Sequence, residues 1–162
     1  MARVLVLGVG NSLLADDGVG VHAALCLRER EGARPDLTIL DAGTLGFSLL
    51  STLQDADALI ALDAARHGGR PGDVRICEGE EFDRFVQRRG RSVHEVGLAD
   101  LLDMARLSGV LPNRRALIGV EPELIGWGLE LSAPVAAAVP RCVAAAVGFI
   151  ERWQPADERH EH

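Results

Sequence analysis

Cysteine is scarce in this chain: Cys26, Cys77 and Cys142 are widely separated, odd in number and form no Cys-x-x-Cys pair. That pattern excludes a disulfide framework and a thiolate zinc site, and the expectation is three reduced, mostly buried thiols. No unbroken apolar run of spanning length is present, because the richest stretch, Pro134 to Ile150, is alanine-rich and interrupted by Pro140 and Arg141. No membrane association is expected. A basic stripe is missing too. The net charge of −7 is spread along the chain, which leaves no source of attraction to nucleic acid or to an anionic membrane. The expected partner is neutral, cationic or a protein. Arg3 to Leu7, the first apolar stretch, is too short for the core of a signal peptide and has no cleavage site after it, so a cytoplasmic protein is expected. There is no internal repeat and no linker.

What the chain does have is enough apolar material for one core. With 162 residues and 48% hydrophobic content, it reads as a single domain over residues 1–153, followed by a tail, "QPADERHEH", expected to be disordered. Short Val, Leu and Ile runs alternate with longer stretches of helical period, the rhythm of strands buried on both faces and covered by helices. Strands are expected at Arg3 to Gly8, Leu37 to Asp41, Ala58 to Asp63, Asp73 to Cys77 and Ala116 to Val120. Helices are expected at Asp17 to Arg30, Leu45 to Gln54, Glu81 to Arg88, Glu95 to Ser108 and Ala133 to Arg152, the last capped by Ser132. In the fourth, Leu98, Leu101, Leu102 and Ala105 share one face. "AARHGGRPG", Ala64 to Gly72, is too short and too rich in Gly and Pro for a crossover helix. The strand after it is therefore expected to run antiparallel, at an edge of a mixed sheet.

"GVGNSLLADDGVG", Gly8 to Gly20, invites comparison with a phosphate-cradling turn. Gly8 and Gly10 fit a dinucleotide frame, but Leu13 stands where the third glycine belongs. Asp16 and Asp17 would repel an anion by about 1 kcal/mol per pair at ~4 Å even in water. One reading makes these two acids a helix cap and a partner of the helix dipole. The other turns one of them toward a cation.

A cation needs further ligands, and in an open α/β sheet they gather outside the carboxyl ends of the strands. The first strand leads into Asp16 and Asp17, the second ends at Asp41 and the third at Asp63. Among the histidines, His160 and His162 are in the tail, His22 reads as a packing residue of the first helix, and His67 as a mobile surface residue of the glycine-rich loop. His94 precedes or opens the fourth helix, where the positive end of the dipole favours neutral imidazole, the metal-binding form; a self-capping histidine is the other reading. Two carboxylates and one imidazole suit nickel, zinc or iron, but are too few for a closed structural site. There is no Gly-x-Ser-x-Gly elbow and no His-Glu-x-x-His signature, and Cys26 and Cys142 read as core residues.

Together, "LVLGVGNSLLADDGVG", "ILDAGTLG", "LIALDAA", "SVHEVGLADLL", "LIGVEPE" and "WGLELSAPV" resemble the nickel-iron hydrogenase maturation endopeptidases, from Arg3 to about Trp153. The resemblance implies a three-layer α/β/α sandwich around a five-stranded mixed sheet of order 2-1-3-5-4, with strand 4 antiparallel. It implies an endopeptidase that removes the C-terminal extension of the hydrogenase large-subunit precursor once nickel has been inserted. The metal is supplied by the precursor, with no resident ion. Metal contact carries over to Asp17, Asp63 and His94, with Asp16 the competitor for the first place, and Asp41 falls on an acidic position concerned with catalysis or substrate positioning. The implied partner is the nickel-loaded precursor, and the protein itself is expected to be a monomer. Two other readings are a non-catalytic nickel-binding chaperone using the same three residues, and a nucleotide-binding enzyme using the glycine turn with Asp41 on a ribose.

Overall fold

A computed structural model of the chain describes residues 2–42, 48–88 and 96–155. His94, the expected start of the second helix at Leu45, and the tail beyond Pro155 lie outside them. The strands are β1 (Val4–Val9), β2 (Leu37–Ala42), β3 (Ala58–Ala64), β4 (Val74–Glu78) and β5 (Arg114–Val120). The helices are α1 (Val19–Glu31), α2 (Ser48–Gln54), α3 (Glu80–Arg88), α4 (Val96–Leu107) and α5 (Ala133–Trp153), with a 3-10 turn at Ala15–Gly18 before α1. The sheet order is β2-β1-β3-β5-β4. β2, β1, β3 and β5 are parallel, and β4 pairs antiparallel with β5 from Val74 opposite Val120 to Glu78 opposite Ala116. Both the order and the reversed edge strand agree with the expectation.

β1 and β3 are buried along their whole length, as central parallel strands must be when helices cover both faces. The pleat sorts their side chains into two cores. Val4, Val6, Ala58, Ile60 and Leu62 pack with α1 and α5, while Leu5, Leu7, Val9, Leu59 and Ala61 pack with Leu53 of α2, Phe82 of α3 and Leu98, Leu101, Leu102 and Ala105 of α4. The fold therefore has three layers, with α1 and α5 on one side and α2, α3 and α4 on the other. Truncating one of the fully buried leucines, such as Leu59→Ala, removes packing worth about 2–5 kcal/mol. Arg115 of β5 grips Asp83 of α3 with two hydrogen bonds, 2.9 and 2.6 Å, locking that helix to the sheet.

α5 runs through Pro140 as the expected span requires, with the proline on the exposed side, while other local expectations change in the folded chain. By length and composition this helix could cross a membrane, yet Val135, Ala138, Cys142, Ala146 and Ile150 form a buried stripe against the sheet. It is a core helix. Gln154, counted with the tail in the sequence reading, is fully buried: its amide nitrogen donates to the carbonyls of Ala2 (2.6 Å) and Asp36 (2.8 Å), and its Oε1 accepts from Arg34 (2.5 Å). Cys26 is exposed, contrary to its placement in the core. The buried stripe of α1 runs through Gly20, Ala23, Ala24 and Leu27, and Cys26 lies two residues from Ala24, about 200° around the helix.

Cys77 and Cys142 are buried, and burial pushes the Cys142 thiol up to about 11. At pH 8 only about a thousandth of it is thiolate, and the thiolate is the reactive form. A chromogenic disulfide reagent should therefore label one thiol, Cys26, in the native protein and all three after denaturation. Rapid labelling of Cys142 in the native state would contradict this packing.

Candidate active site at the strand carboxyl ends

The connection from β1 to α1 explains the glycine-rich loop. Gly8 lies against α1, where a Cβ would come within 2.7 Å of Ala24 and of the Gly20 carbonyl. Gly10 has φ 117°, and a Cβ there would stand 2.0 Å from the Asp17 carbonyl. A Cβ on Gly20 would stand 2.0 Å from the Leu62 carbonyl. These glycines admit the chain's own backbone rather than a pyrophosphate or a substrate, because the loop folds back on itself and the first turn of α1 sits on the end of β3. The nucleotide reading fails on this geometry.

Asp16 and Asp17 are neighbours with opposite duties. Asp16 is wholly buried, and its carboxylate accepts the backbone N–H groups of Glu123 (2.9 Å), Leu124 (2.8 Å) and Ser132 (2.7 Å) and the Ser132 hydroxyl (2.7 Å). Burial by itself raises this carboxyl, but the hydrogen bonds from Leu124, from Ser132 twice and from Glu123 outweigh it and hold Asp16 below its ordinary value. The Ser132 hydroxyl, expected to cap α5, is spent on Asp16, and no side-chain cap bond forms there. Asp17 points elsewhere. It is buried, and its Oδ2 accepts the Asn11 N–H at 2.8 Å. Ala15, which opens the turn, is held at φ 50°, a strained setting for a residue with a Cβ.

Asp63 is the penultimate residue of β3, opposite Gly119 of β5, and is buried. Its strand parity matches Leu59 and Ala61, so it leaves the sheet on the side of α2, α3 and α4. Asp41 is the penultimate residue of β2, opposite Gly8, and is exposed. It shares parity with Leu37 and Ile39, which pack on the α1 side. The pleat therefore separates two acids that the sequence placed on one rim. Asp17, in the turn that follows β1, and Asp63, near the end of β3, both lie at the carboxyl ends of the two adjacent central strands, where the connection from β1 leads to one face and α4 packs on the other. That place is the ligand position of an open α/β sheet. The segment bearing His94 lies outside the described residues, but the helix it leads into, α4, packs on the Asp63 face. Among the described residues no group of three or more His, Cys, Asp and Glu side chains could hold a metal ion.

His67 is not the mobile surface residue expected. Its N–H donates to Glu121 Oε2 (2.6 Å) and its ring Nε2 lies 3.1 Å from the Asp73 carbonyl. Glu121, directly after β5 and buried, also takes the Gly72 N–H on its carbonyl and gives its own N–H to Asp73. It pins the β3–β4 connection. Glu121, within "LIGVEPE", has no role in the sequence pattern beyond its place directly after an apolar strand, which is the one signal that marks it.

The hydrogenase maturation protease family model matches residues 21–148. The chain belongs to the hydrogenase maturation protease family. The hydrogenase expression/formation protein HupD of Rhizobium leguminosarum bv. viciae is 37% identical over 152 residues, covering 93% of this chain and 75% of that protein. The hydrogenase 2 maturation protease of Escherichia coli K12 is 37% identical over 138 residues, 85% of this chain and 84% of its own. Among solved structures, the hydrogenase maturating endopeptidase HybD from E. coli superimposes with a TM-score of 0.86 at 34% identity, covering 93% of each chain. HybD from Thermococcus kodakarensis gives 0.77 at 31% identity, covering 91% of this chain and 98% of that one. The chain is thus a maturation protease with this family's fold, and the non-catalytic chaperone reading is set aside.

Because Asp16 satisfies four donors from 107 to 116 residues away, Asp16→Asn should cost this maturation protease about 3 kcal/mol, the scale of hydrogen bonds to a buried charge. The corresponding fall in Tm is about 6–12 °C at this chain length. The lowered folded pKa fixes the sign of the pH effect. The contribution is complete above the unfolded value of about 3.9 and disappears as pH falls through the lower folded value. The gap in Tm between wild type and variant should therefore stay constant from pH 7 to pH 5 and narrow below about pH 3.9. Equal melting at pH 7 would refute the anchoring role.

Proposed function

We propose that this protease removes the C-terminal extension of a nickel-iron hydrogenase large-subunit precursor, and does so after nickel insertion. Asp17, Asp63 and His94 contact the nickel already held by the precursor's cysteines. What supports this most is that Asp17 follows β1 and Asp63 ends the adjacent strand β3, with Asp63 on the face packed by α4, the helix that His94 precedes in sequence. Two carboxylates with one imidazole leave coordination positions open for ligands brought by the precursor. Nickel is then part of the substrate.

Chemistry follows from placement. Fixing the precursor's metal fixes the nearby chain, and holding scissile bond and water in register offsets several kcal/mol of barrier. The water is activated by the nickel as Lewis acid or by a carboxylate as general base. Asp16 is unsuited to the second role, since both its oxygens are occupied by donors and its basicity is reduced. Asp41 leaves the sheet on the other face, which suits a contact with the substrate chain better than proton transfer at the metal. Asp17 is the carboxylate assigned to that role. The monomeric state and cytoplasmic location expected from the sequence belong to the same proposal.

The intact mass of a precursor incubated with the protease, nickel-loaded or nickel-free, tests this reading. Loss of a C-terminal peptide is expected in the loaded sample alone. Asp17→Asn, Asp63→Asn and His94→Ala should each slow it by about 100-fold or more while leaving Tm within a few degrees of wild type. Cleavage of the nickel-free precursor at the same rate would remove metal reading, and full activity of His94→Ala would remove the ligand set.

A further inference from the structure

The segment between β5 and α5 is built inside out. Its backbone N–H groups at Glu123, Leu124 and Ser132 turn inward to Asp16, so its large apolar side chains are turned to solvent. Trp127 is 86% exposed, Leu129 68%, Leu124 58% and Ile125 42%. Leu13, 50% exposed, joins them from the neighbouring loop, since Gly128 N–H donates to the Leu13 carbonyl at 3.0 Å and Ala15 N–H to the Gly128 carbonyl at 2.8 Å. Single exposed apolar residues are ordinary. Five large ones on two hydrogen-bonded segments form the kind of patch that marks a binding surface.

Its position identifies the occupant. The Leu13 N–H donates to the Asn11 side chain, and the Asn11 N–H donates to Asp17, so the patch is tied through Asn11 to the acid that the proposed function sets beside the scissile bond. Exposed Glu123 and Glu130 flank it, which disfavours an anionic membrane and favours a polypeptide whose apolar side chains are bordered by basic ones. The platform is already fixed by the Asp16 hydrogen bonds, so docking on it loses little conformational entropy. We propose that Leu13, Leu124, Ile125, Trp127 and Leu129 form the platform on which an apolar segment of the large-subunit precursor next to its scissile bond docks. This rests on the proposed function for the identity of the substrate, and adds a substrate-holding surface separate from the metal-reading acids. Trp127 is its expected hot spot, as a large aromatic at the centre of such a patch.

The test reads binding apart from cleavage. The protein contains two tryptophans, and fluorine NMR of 5-fluorotryptophan-labelled protein gives one resonance for each, assigned with Trp127→Phe. On titration with purified full-length precursor from the same source, nickel-loaded and nickel-free, the Trp127 resonance should shift or broaden while that of buried Trp153 stays in place. The double variant Trp127→Ser/Leu129→Ser should bind at least about 10-fold more weakly with unchanged Tm, and its processing defect should appear in KM rather than kcat. Equal affinity of variant and wild type, or a Trp127 resonance unmoved at saturation, would overturn the platform. So would concentration-dependent self-association that the double variant abolishes, which would give the patch to a second copy. A protein that binds through Trp127 but leaves the precursor's mass unchanged would sustain the platform and refute the endopeptidase reading.

Discussion

The carboxylate of Asp16 is the constraint on which the working edge of this protein depends. It lies in the short turn between the first strand and the first helix, and it gathers three backbone N–H groups and a hydroxyl from the segment that leads into the last helix. A charged group at zero exposure is tolerable only when its lone pairs are filled. Here filling them closes the edge of the domain. Ala15, the residue before Asp16, stands at positive φ, and Asp17, the residue after it, turns to the Asn11 N–H instead.

The sheet supplies the other half of the site. Order β2-β1-β3-β5-β4 places the two most buried strands side by side, and their carboxyl ends open onto a crevice between diverging connections. The turn after β1 carries Asp17 and the end of β3 carries Asp63, while the pleat turns Asp41 to the face opposite Asp63. In the proposed function few groups are needed at this point, because recognition of the substrate's metal already places the chain to be cut.

Rigidity at Asp16 and exposure at Trp127 have one cause. Once the backbone polar groups of the β5–α5 segment are drawn inward, its side chains must face out, and an acidic anchor thereby presents an apolar surface. The cost of exposing Trp127 and its neighbours is met by the satisfied carboxylate beneath them, and the surface is tied to Asp17 through Asn11. The setting of Asp17 and the exposed apolar surface are thus two products of one folded edge.

Local pattern was enough to find the elements. Apolar runs located all five strands to within two residues, and period 3.6 located the face of α4 through Leu98, Leu101, Leu102 and Ala105. The short, glycine-rich stretch after Asp63 fixed the reversal of the fourth strand, because such a connection cannot return a chain parallel. The family blocks supplied the strand order and named Asp17 and Asp63, whereas His94 falls outside the described residues. Only the tertiary structure decided what each acid does. Asp16 and Asp17 are indistinguishable in sequence, since the donors that separate them lie 107 to 116 residues away. Asp41 and Asp63 both read as strand-end acids, and only the register of the paired strands sends them to opposite faces. His67 and Gln154 read as loop and tail until distant carbonyls and carboxylates hold them. A sequence records periodicity and local chain chemistry, while the partner of a polar group is set by which distant segments the buried sheet brings within hydrogen-bond reach.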